Sequence, residues 1–220
     1  MIDAAPPPAN RLDRRKARTR AALIRAAQTL IAEGRTNVPV LEITQAADVG
    51  MGSFYNHFET KEQLFAAAVE AVLDAYGRLL DRVTAGIEDP AEVFAASFRL
   101  TGRLHRREPE LSKVLLNNAL QLLSAPNGLA PRARRDIQSA TAAGRFDVVD
   151  LDVAVTMAAG ALIALGQLLH DQPERDVDET TDRVTEDLLR MLGLQRRQAQ
   201  RIARLPLPEI EAEEGDGSAA

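Results

Sequence analysis

Apolar residues in this sequence recur every three or four positions, and this spacing limits the possible folds more than any other feature. Such spacing places side chains along one face of an α-helix. No segment of the sequence shows the alternation of period two that is typical of a half-buried strand. The pattern predicts an all-α fold, a helical bundle of about nine or ten helices. Two of the stripes are Leu23, Ala26, Ala27, Leu30 and Ile31, and Leu64, Ala68, Val72, Ala75 and Leu79.

Turn and capping residues mark the ends of the predicted helices. Gly34 and Gly193 are stop signals. Thr60 is a predicted N-cap, with Gln63 as its capping-box partner. The predicted helical segments are 12–33, 40–47, 51–58, 61–86, 91–107, 109–123, 131–144, 150–170, 178–192 and a short piece before Pro206.

Charge is distributed unevenly along the chain. Residues 11–35 contain eight basic and two acidic residues, so this segment carries +6 while the whole chain carries −5. The remainder must then carry −11. This asymmetry favours contact between the amino-terminal part and a polyanion. A solvated helix face is the other interpretation of such a charge run.

The sequence offers little to catalysis or to metal binding. It contains no Cys, which excludes disulfides, a thiolate nucleophile and Cys-based zinc sites. Its three His are isolated, and it has no zinc-protease, serine-hydrolase or P-loop motif. The most apolar run, 153–166, has 14 residues, whereas a membrane span needs about 20. We therefore expect a soluble, cytoplasmic protein without enzymatic activity, cofactor, metal or membrane partner.

The segment VGMGSFYNHFETKEQL concentrates aromatic residues in an aromatic-poor chain. Phe54, Tyr55, His57 and Phe58 fall within five positions, although the chain has only two Tyr, six Phe and three His. Two short helical pieces meet here at a tight turn, which is the pattern of a helix-turn-helix. In such a unit the second helix enters the major groove of DNA. The segment therefore indicates a DNA-binding head.

Each position of this head has a predicted role. Phe54 and Phe58 lie four residues apart and should face inward, together with Ile43 on the first helix. Asp48 lies where the backbone should be left-handed, which Asp and Asn tolerate best after Gly. The free face of the second helix then presents small and hydrogen-bonding groups that suit base edges and phosphates.

The run LEITQAADVGMGSFYNHFETKEQLFAAAVEAV resembles the DNA-binding signature of the TetR family of transcriptional regulators. The preceding TRAALIRAAQTLIAEG is similar to the first helix of that family. The resemblance implies a homodimeric repressor that binds a pseudo-palindromic double-stranded DNA operator and is released by a small-molecule effector. The residues singled out as DNA contacts are Arg15, Lys16, Arg18, Thr44, Gly50, Met51, Gly52, Ser53, Tyr55, Asn56, His57 and Lys61.

The chain departs from the family pattern at several positions. Gly50 replaces the usual Ser or Thr, Asp48 replaces a usual Gly, and Thr44 replaces a usual Ala. These departures leave open an alternative function, a helical interaction module that has lost DNA binding. At single residues, Tyr55 could be core and His57 a plain surface histidine.

The predicted domain organisation follows the resemblance. A disordered arm at 1–10 precedes a helix-turn-helix domain at 11–65, an N-terminal three-helix head. A larger C-terminal helical bundle at 66–205 would bind ligand and dimerise, and an acidic disordered tail would cover 206–220. The helix that begins at Lys61 joins the two domains and would carry the coupling between them.

Two sites are predicted in the larger domain. The helix at 150–170 is apolar nearly all round, which fits either the centre of the domain or a dimer interface. Mixed apolar and polar side chains on the central helices suit a cavity for an apolar or amphipathic effector, or else plain core. The interface candidates are Ala154, Ala158, Ala161, Leu165, Val184 and Leu188, and the ligand candidates are Phe94, Phe98, Asn117 and Gln121.

Overall fold

The computed structural model describes residues 11–119 and 127–209. Over these residues the chain forms ten helices and no strand, which confirms the predicted all-α fold. The predicted arm at 1–10, Gln121 and the tail from residue 210 lie outside the described residues. The helices are α1 (Arg11–Ala32), α2 (Val40–Ala46), α3 (Met51–Tyr55), α4 (Lys61–Val83), α5 (Pro90–Arg107), α6 (Pro109–Asn117), α7 (Leu129–Ala142), α8 (Leu151–Asp171), α9 (Val177–Met191) and α10 (Arg196–Ile202).

Most helix ends agree with the predicted ends to within a few residues. The helix predicted to start at Pro131 begins two residues earlier, at Leu129. Pro131 therefore occupies the first turn, where its missing N–H leaves no helical hydrogen bond unmade. Thr60 accepts a hydrogen bond from the Gln63 amide at 3.2 Å, as its predicted N-cap role requires.

The chain divides into two compact units, one up to Val69 and one from Glu70 onward. The division lies inside α4, four residues beyond the boundary predicted at residue 65.

The first unit is built around fully buried side chains from its four helices. Leu23 of α1, Ile43 of α2, Phe54 of α3 and Leu64 of α4 are completely shielded from solvent. The Phe54 and Phe58 rings pack 6.1 Å apart. Both aromatic residues therefore face inward, as the sequence pattern predicts.

The second unit has α5 at its centre. This helix packs against α7, α8 and α9, and its buried face includes Phe94 and Phe98. Phe94 meets Phe146 edge-on, with ring centroids 5.6 Å apart. Aspartates begin three of the helices by accepting backbone N–H groups, which is the usual role of an N-cap. These N-caps are Asp89 for α5, Asp150 for α8 and Asp176 for α9.

A buried ion pair fastens α9 and the segment after α10 to the centre of this unit. The Arg99 guanidinium donates to both carboxylate oxygens of Asp182, at 2.7 and 3.0 Å, and to the Leu205 carbonyl at 2.6 Å. The Arg99 side chain is almost fully buried, so its charge needs these partners.

α8 is less buried than its composition suggests. Within the protomer its outer face is open, with Val153 and Met157 exposed at 53% and 47%. Among the described helices it is the one long and apolar enough to cross a membrane, with 21 residues and a mean hydropathy of 1.7. The expectation that no segment reaches this length is therefore wrong. A core helix of a soluble protein passes the same test, so the finding is weak evidence for a span.

Candidate DNA-binding surface and ligand cavity

The turn between α2 and α3 has the conformation that the sequence predicts. Asp48 has a φ of +51°, the only positive value among described residues other than glycine. The Val49 amide donates to the Thr44 carbonyl at 3.0 Å and closes the turn. This geometry sets α3 apart from α2 and leaves one face of α3 uncovered.

The uncovered face of α3 is small and polar with two larger side chains. Tyr55 is 60% exposed, so it lies on the surface and the alternative of a core position is wrong. Met51 and Asn56 are exposed as well, while Ser53 and His57 are half-buried. A Cβ on Gly50 or Gly52 would have no atom within 4 Å. The surface is therefore open enough for the edge of a duplex to approach the backbone.

Cations also lie on α1 and at the start of α4, in the same unit as α3. The basic residues of α1 up to Arg18 are exposed, and the described part of the chain offers them no salt-bridge partner. Unpaired arginines are available to neutralise phosphates. Lys61, the first residue of α4, donates to the Asn37 side chain at 3.0 Å. This partner is neutral, so it fixes the ammonium beside the free N–H groups of a helix N-terminus without cancelling its charge.

Thr44 was predicted to contact DNA, and the structure contradicts this prediction. Its side chain is only 2% exposed, and its hydroxyl donates to the Leu41 carbonyl at 2.9 Å. It therefore packs inside the first unit and cannot reach DNA. Asn37, which holds Lys61, was missed by sequence reasoning, because a single Asn in a loop does not stand out.

A cavity of about 110 Å³ lies within the second unit, among α4, α5, α7 and α8. Its wall is mostly apolar and includes Phe94 and Phe98, two of the residues predicted to bind the ligand, which also belong to the hydrophobic core. Asn117, also predicted to bind the ligand, is exposed and is not among the residues that line this cavity. The other apolar lining side chains include Leu73, Leu80, Leu115, Leu129, Leu162 and Ile163.

One part of the cavity wall is strongly polar. Asp81, Arg132 and Asp136 all line it, and they belong to a ladder of alternating charges between α4 and α7. Arg132 Nε donates to Asp81 Oδ2 at 3.0 Å and Nη1 donates to Asp74 Oδ1 at 2.9 Å. Arg135 Nη2 donates to Asp81 Oδ1 and to Asp136 Oδ1, each at 2.7 Å. These five residues form what is here called the charge ladder: Asp74, Arg132, Asp81, Arg135 and Asp136.

The carboxylates of the charge ladder have different pKa values for physical reasons. Burial raises the pKa of Asp136, and the hydrogen bond from Arg135 only partly opposes this. The hydrogen bond from Arg132 lowers the pKa of Asp74. Burial pushes the pKa of Asp81 upward, but hydrogen bonds from Arg135 and Arg132 lower it overall. Asp136 is thus the carboxyl most in need of a further hydrogen-bond donor.

The predicted interface residues are mainly internal. Ala154, Ala158, Leu165 and Leu188 are each at most 6% exposed within one protomer, so their assignment to a surface is wrong. They belong to the core between α8, α5 and α9. Ala161 and Val184 are half-buried at the edge of that core. The open face of α8 instead carries Val153, Met157, Gly160 and Ala164, here called the α8 outer strip.

No group of His, Cys, Asp and Glu in the described residues could hold a metal ion.

Two family profiles match this chain. Residues 23–68 match "Bacterial regulatory proteins, tetR family", and residues 89–205 match "Tetracyclin repressor-like, C-terminal domain". The transcriptional regulator TcmR of Streptomyces glaucescens is 30% identical over 167 residues, 69% of this chain and 74% of its own.

Solved structures match over most of the chain. Ligand-free RolR is 38% identical with a TM-score of 0.75, covering 86% of this chain and 99% of its own. RolR in complex with resorcinol is 37% identical with a TM-score of 0.71, covering 90% of this chain and 98% of its own.

Proposed function

This chain belongs to the TetR family of bacterial transcriptional regulators, and we propose that its effector is a small hydroxylated aromatic molecule bound in the cavity of the second unit. It is a DNA-binding regulator with the repressor architecture of that family. The alternative, an interaction module without DNA binding, is not favoured. Members of this family are soluble proteins that act as dimers, and a cytoplasmic homodimer is the form proposed for this chain.

The open face of α3 supports operator binding by this particular chain. The exposed Tyr55, the uncovered glycines and the half-buried Lys61 would provide contacts to bases and phosphates. A dimer would present two such helices to successive major grooves about 34 Å apart. The unpaired arginines of α1 would add phosphate contacts and make binding salt-dependent.

The α8 outer strip supports dimerisation. Its residues follow a spacing of four, three and four, so they form one continuous line along the helix. Gly160 and Ala164 are small, which allows a second helix to approach closely, while Val153 and Met157 supply apolar area. Exposed apolar side chains grouped in one line are typical of an association surface.

The cavity supports the proposed ligand class. A cavity of about 110 Å³ with apolar walls is comparable to the roughly 150 Å³ apolar cavity that binds benzene. The charge ladder adds groups that recognise a hydroxyl, since Asp136 accepts a hydrogen bond and Arg132 donates one. Resorcinol, a ligand of this size and polarity, is bound to RolR in the related crystal structure. An uncharged ring with one or more hydroxyls would satisfy both ends of the site.

Binding of a selected duplex tests the DNA-binding part. The wild-type chain would select its operator from a random DNA pool, and fluorescence anisotropy would then measure affinity against salt. We expect saturable binding at least about 1,000-fold tighter than binding to random DNA. Lys61→Ala should weaken it, whereas Lys113→Ala, an exposed lysine of α6 paired with Glu110, should not. Equal affinity for all duplexes would reject a sequence-specific regulator.

Calorimetry tests the ligand class directly. Resorcinol, phenol and benzene form a series of similar rings with fewer hydroxyl groups at each step. We expect affinity to fall along this series in the wild-type chain, and to fall less steeply in Asp136→Leu, which keeps Arg132 as the only one of the two hydroxyl-recognising groups. Failure of all three rings to bind would show that the proposed ligand class is wrong.

A further inference from the structure

Arg132 crosses α4 at a position that only glycine leaves open. A Cβ on Gly77 would lie 2.6 Å from Cδ and Nε of Arg132 and 2.7 Å from its Cζ. These separations are well inside van der Waals contact. Gly77 is therefore required here for close approach of a side chain to the helix backbone.

Two aspartates of α4 hold the guanidinium on either side of this crossing. Asp74 and Asp81 lie three residues before and four residues after Gly77, so all three share one face of the helix. Arg132 donates to Asp74 at 2.9 Å, to Asp81 at 3.0 Å and to the Gly128 carbonyl at 2.6 Å. The side chain is thereby tied both to the start of α7 and to α4.

The backbone of α4 approaches the other helices of the second unit less closely than they approach one another. In the second unit the extensive helix–helix contacts join α5 to α7, α8 and α9, and α7 to α8, and none of them involves α4. Side chains therefore carry its attachment, both the buried Leu73 and Leu80 and the arginines that bridge to Asp74 and Asp81. A helix attached in this way shifts more easily than one packed closely along its length.

Arg132 also lines the ligand cavity. Its Nε and Nη1 are occupied, while Nη2 has no hydrogen-bond partner among the described residues. A ligand oxygen could accept from Nη2 without displacing either aspartate. The same guanidinium would then contact the ligand and α4 together.

We propose that Arg132 is the positioning residue that transmits occupancy of the cavity to α4, by way of Asp74 and Asp81 across Gly77. This inference rests on the proposed function, because it assumes that a ligand in the cavity alters operator affinity. α4 begins at Lys61, so a displacement at Gly77 acts on the helix that carries a proposed phosphate contact. Ligand and DNA then influence each other through one coupling free energy.

Two variants weaken the bridge, and Asp74→Ala does so without removing a group that lines the cavity. Asp74→Ala removes an acceptor that does not line the cavity. Gly77→Ala keeps every charge, displaces the guanidinium and improves the helix propensity of α4, so it should fold. Arg134→Ala is the matched control, since Arg134 also lies on α7 but pairs with Asp152. Melting curves followed by circular dichroism establish that each variant is folded.

The readout is the change that saturating resorcinol causes in the dissociation constant of the selected operator. Coupling in allosteric proteins is typically 5- to 150-fold, so we expect at least about 10-fold for the wild type and Arg134→Ala. For Asp74→Ala and Gly77→Ala we expect less than about 3-fold, with the resorcinol affinity of Asp74→Ala kept within about 3-fold of wild type. Hydrogen exchange of α4 amides at 70–83 should be faster in both variants.

The outcomes separate this inference from the function on which it rests. If the wild type binds resorcinol and responds to it, but both bridge variants respond equally, Arg132 does not transmit the signal. Loss of resorcinol binding in Asp74→Ala would also count against the inference, since it would assign Asp74 to the ligand site. If resorcinol neither binds to the wild type nor changes its operator affinity, the proposed effector is wrong and this inference fails with it.

Discussion

The imidazole of His105 packs directly against the backbone of Gly166. A Cβ at position 166 would lie 2.3 Å from Cε1 and 2.6 Å from Nδ1 of the ring. The ring is also held by hydrogen bonds. Its Nε2–H donates to the Leu162 carbonyl at 3.2 Å, and its Nδ1 accepts from the Ser112 hydroxyl at 2.7 Å. One buried side chain therefore connects α5, α6 and α8.

Gly166→Ala should destabilise the chain, because the added methyl group meets a ring that hydrogen bonds hold in place. Overpacking of this kind costs about 1 to 3 kcal/mol, and we expect a loss in that range from urea unfolding. Gly86→Ala is the control, since a Cβ there has no atom within 4 Å and should change stability by less than about 0.5 kcal/mol. Equal effects of the two variants would contradict the packing argument.

Stability should decrease as the pH falls from 7.5 to 5.5. Burial lowers the pKa of His105 below its usual 6.5, so the unfolded chain binds the proton more readily. The stabilisation is fully present above pH 6.5 and is lost toward the folded pKa, by up to about 1.4 kcal/mol per pH unit. Urea titrations across this range should show a smaller pH dependence for His105→Asn than for the wild type or His170→Asn. An unchanged dependence would assign the effect to other groups.

Asp136→Asn should raise the stability of the fold at neutral pH and lower the affinity for the ligand. Burial raises the pKa of Asp136, so its ionised form disfavours the fold at neutral pH, and this penalty disappears as the pH falls through the folded pKa. Asn cannot ionise and should raise Tm by a few degrees at pH 7.5, with a smaller gain at pH 4.5. Asp187→Asn, an exposed pair partner on α9, is the control. A lower Tm for Asp136→Asn at pH 7.5 would contradict this view.

Met157→Glu should convert the proposed dimer into monomers. It would place a charge in the middle of the α8 outer strip, and burying an unpaired charge costs several kcal/mol. Because 1.4 kcal/mol is tenfold, we expect a dimer dissociation constant about 100-fold higher by analytical ultracentrifugation. Gln138→Glu adds the same charge to an exposed position of α7 and should leave the dimer intact. A dimer that persists in Met157→Glu would place the interface elsewhere.

The helix-turn-helix was predictable because its constraints are local. The left-handed Asp48, the inward Phe54 and the outward Tyr55 all follow from the spacing of a few neighbouring residues. Thr44 was assigned wrongly because its burial depends on which face of α2 packs into the first unit, and spacing alone does not determine that face.

The second unit was less predictable because its sites depend on packing between distant segments. Ala154 and Ala158 were expected at a surface, and Val153 and Met157 occupy it instead. A helix that is apolar all round does not indicate which face its own protomer covers. The charge ladder was missed for a related reason. Asp81 and Arg132 are 51 positions apart, and only the approach of α7 to α4 brings them together.

Asp89 shows how one side chain can be subject to two requirements at once. Its carboxylate begins α5 by accepting the Ala91 amide at 3.0 Å, and the same group binds Arg145 at 2.8 Å. Asn could begin the helix but could not neutralise the arginine, whereas Glu could neutralise it but is a poor helix starter. Substitution here is consequently restricted far beyond what its partly exposed location suggests, and a designer altering the sensor should leave this position alone.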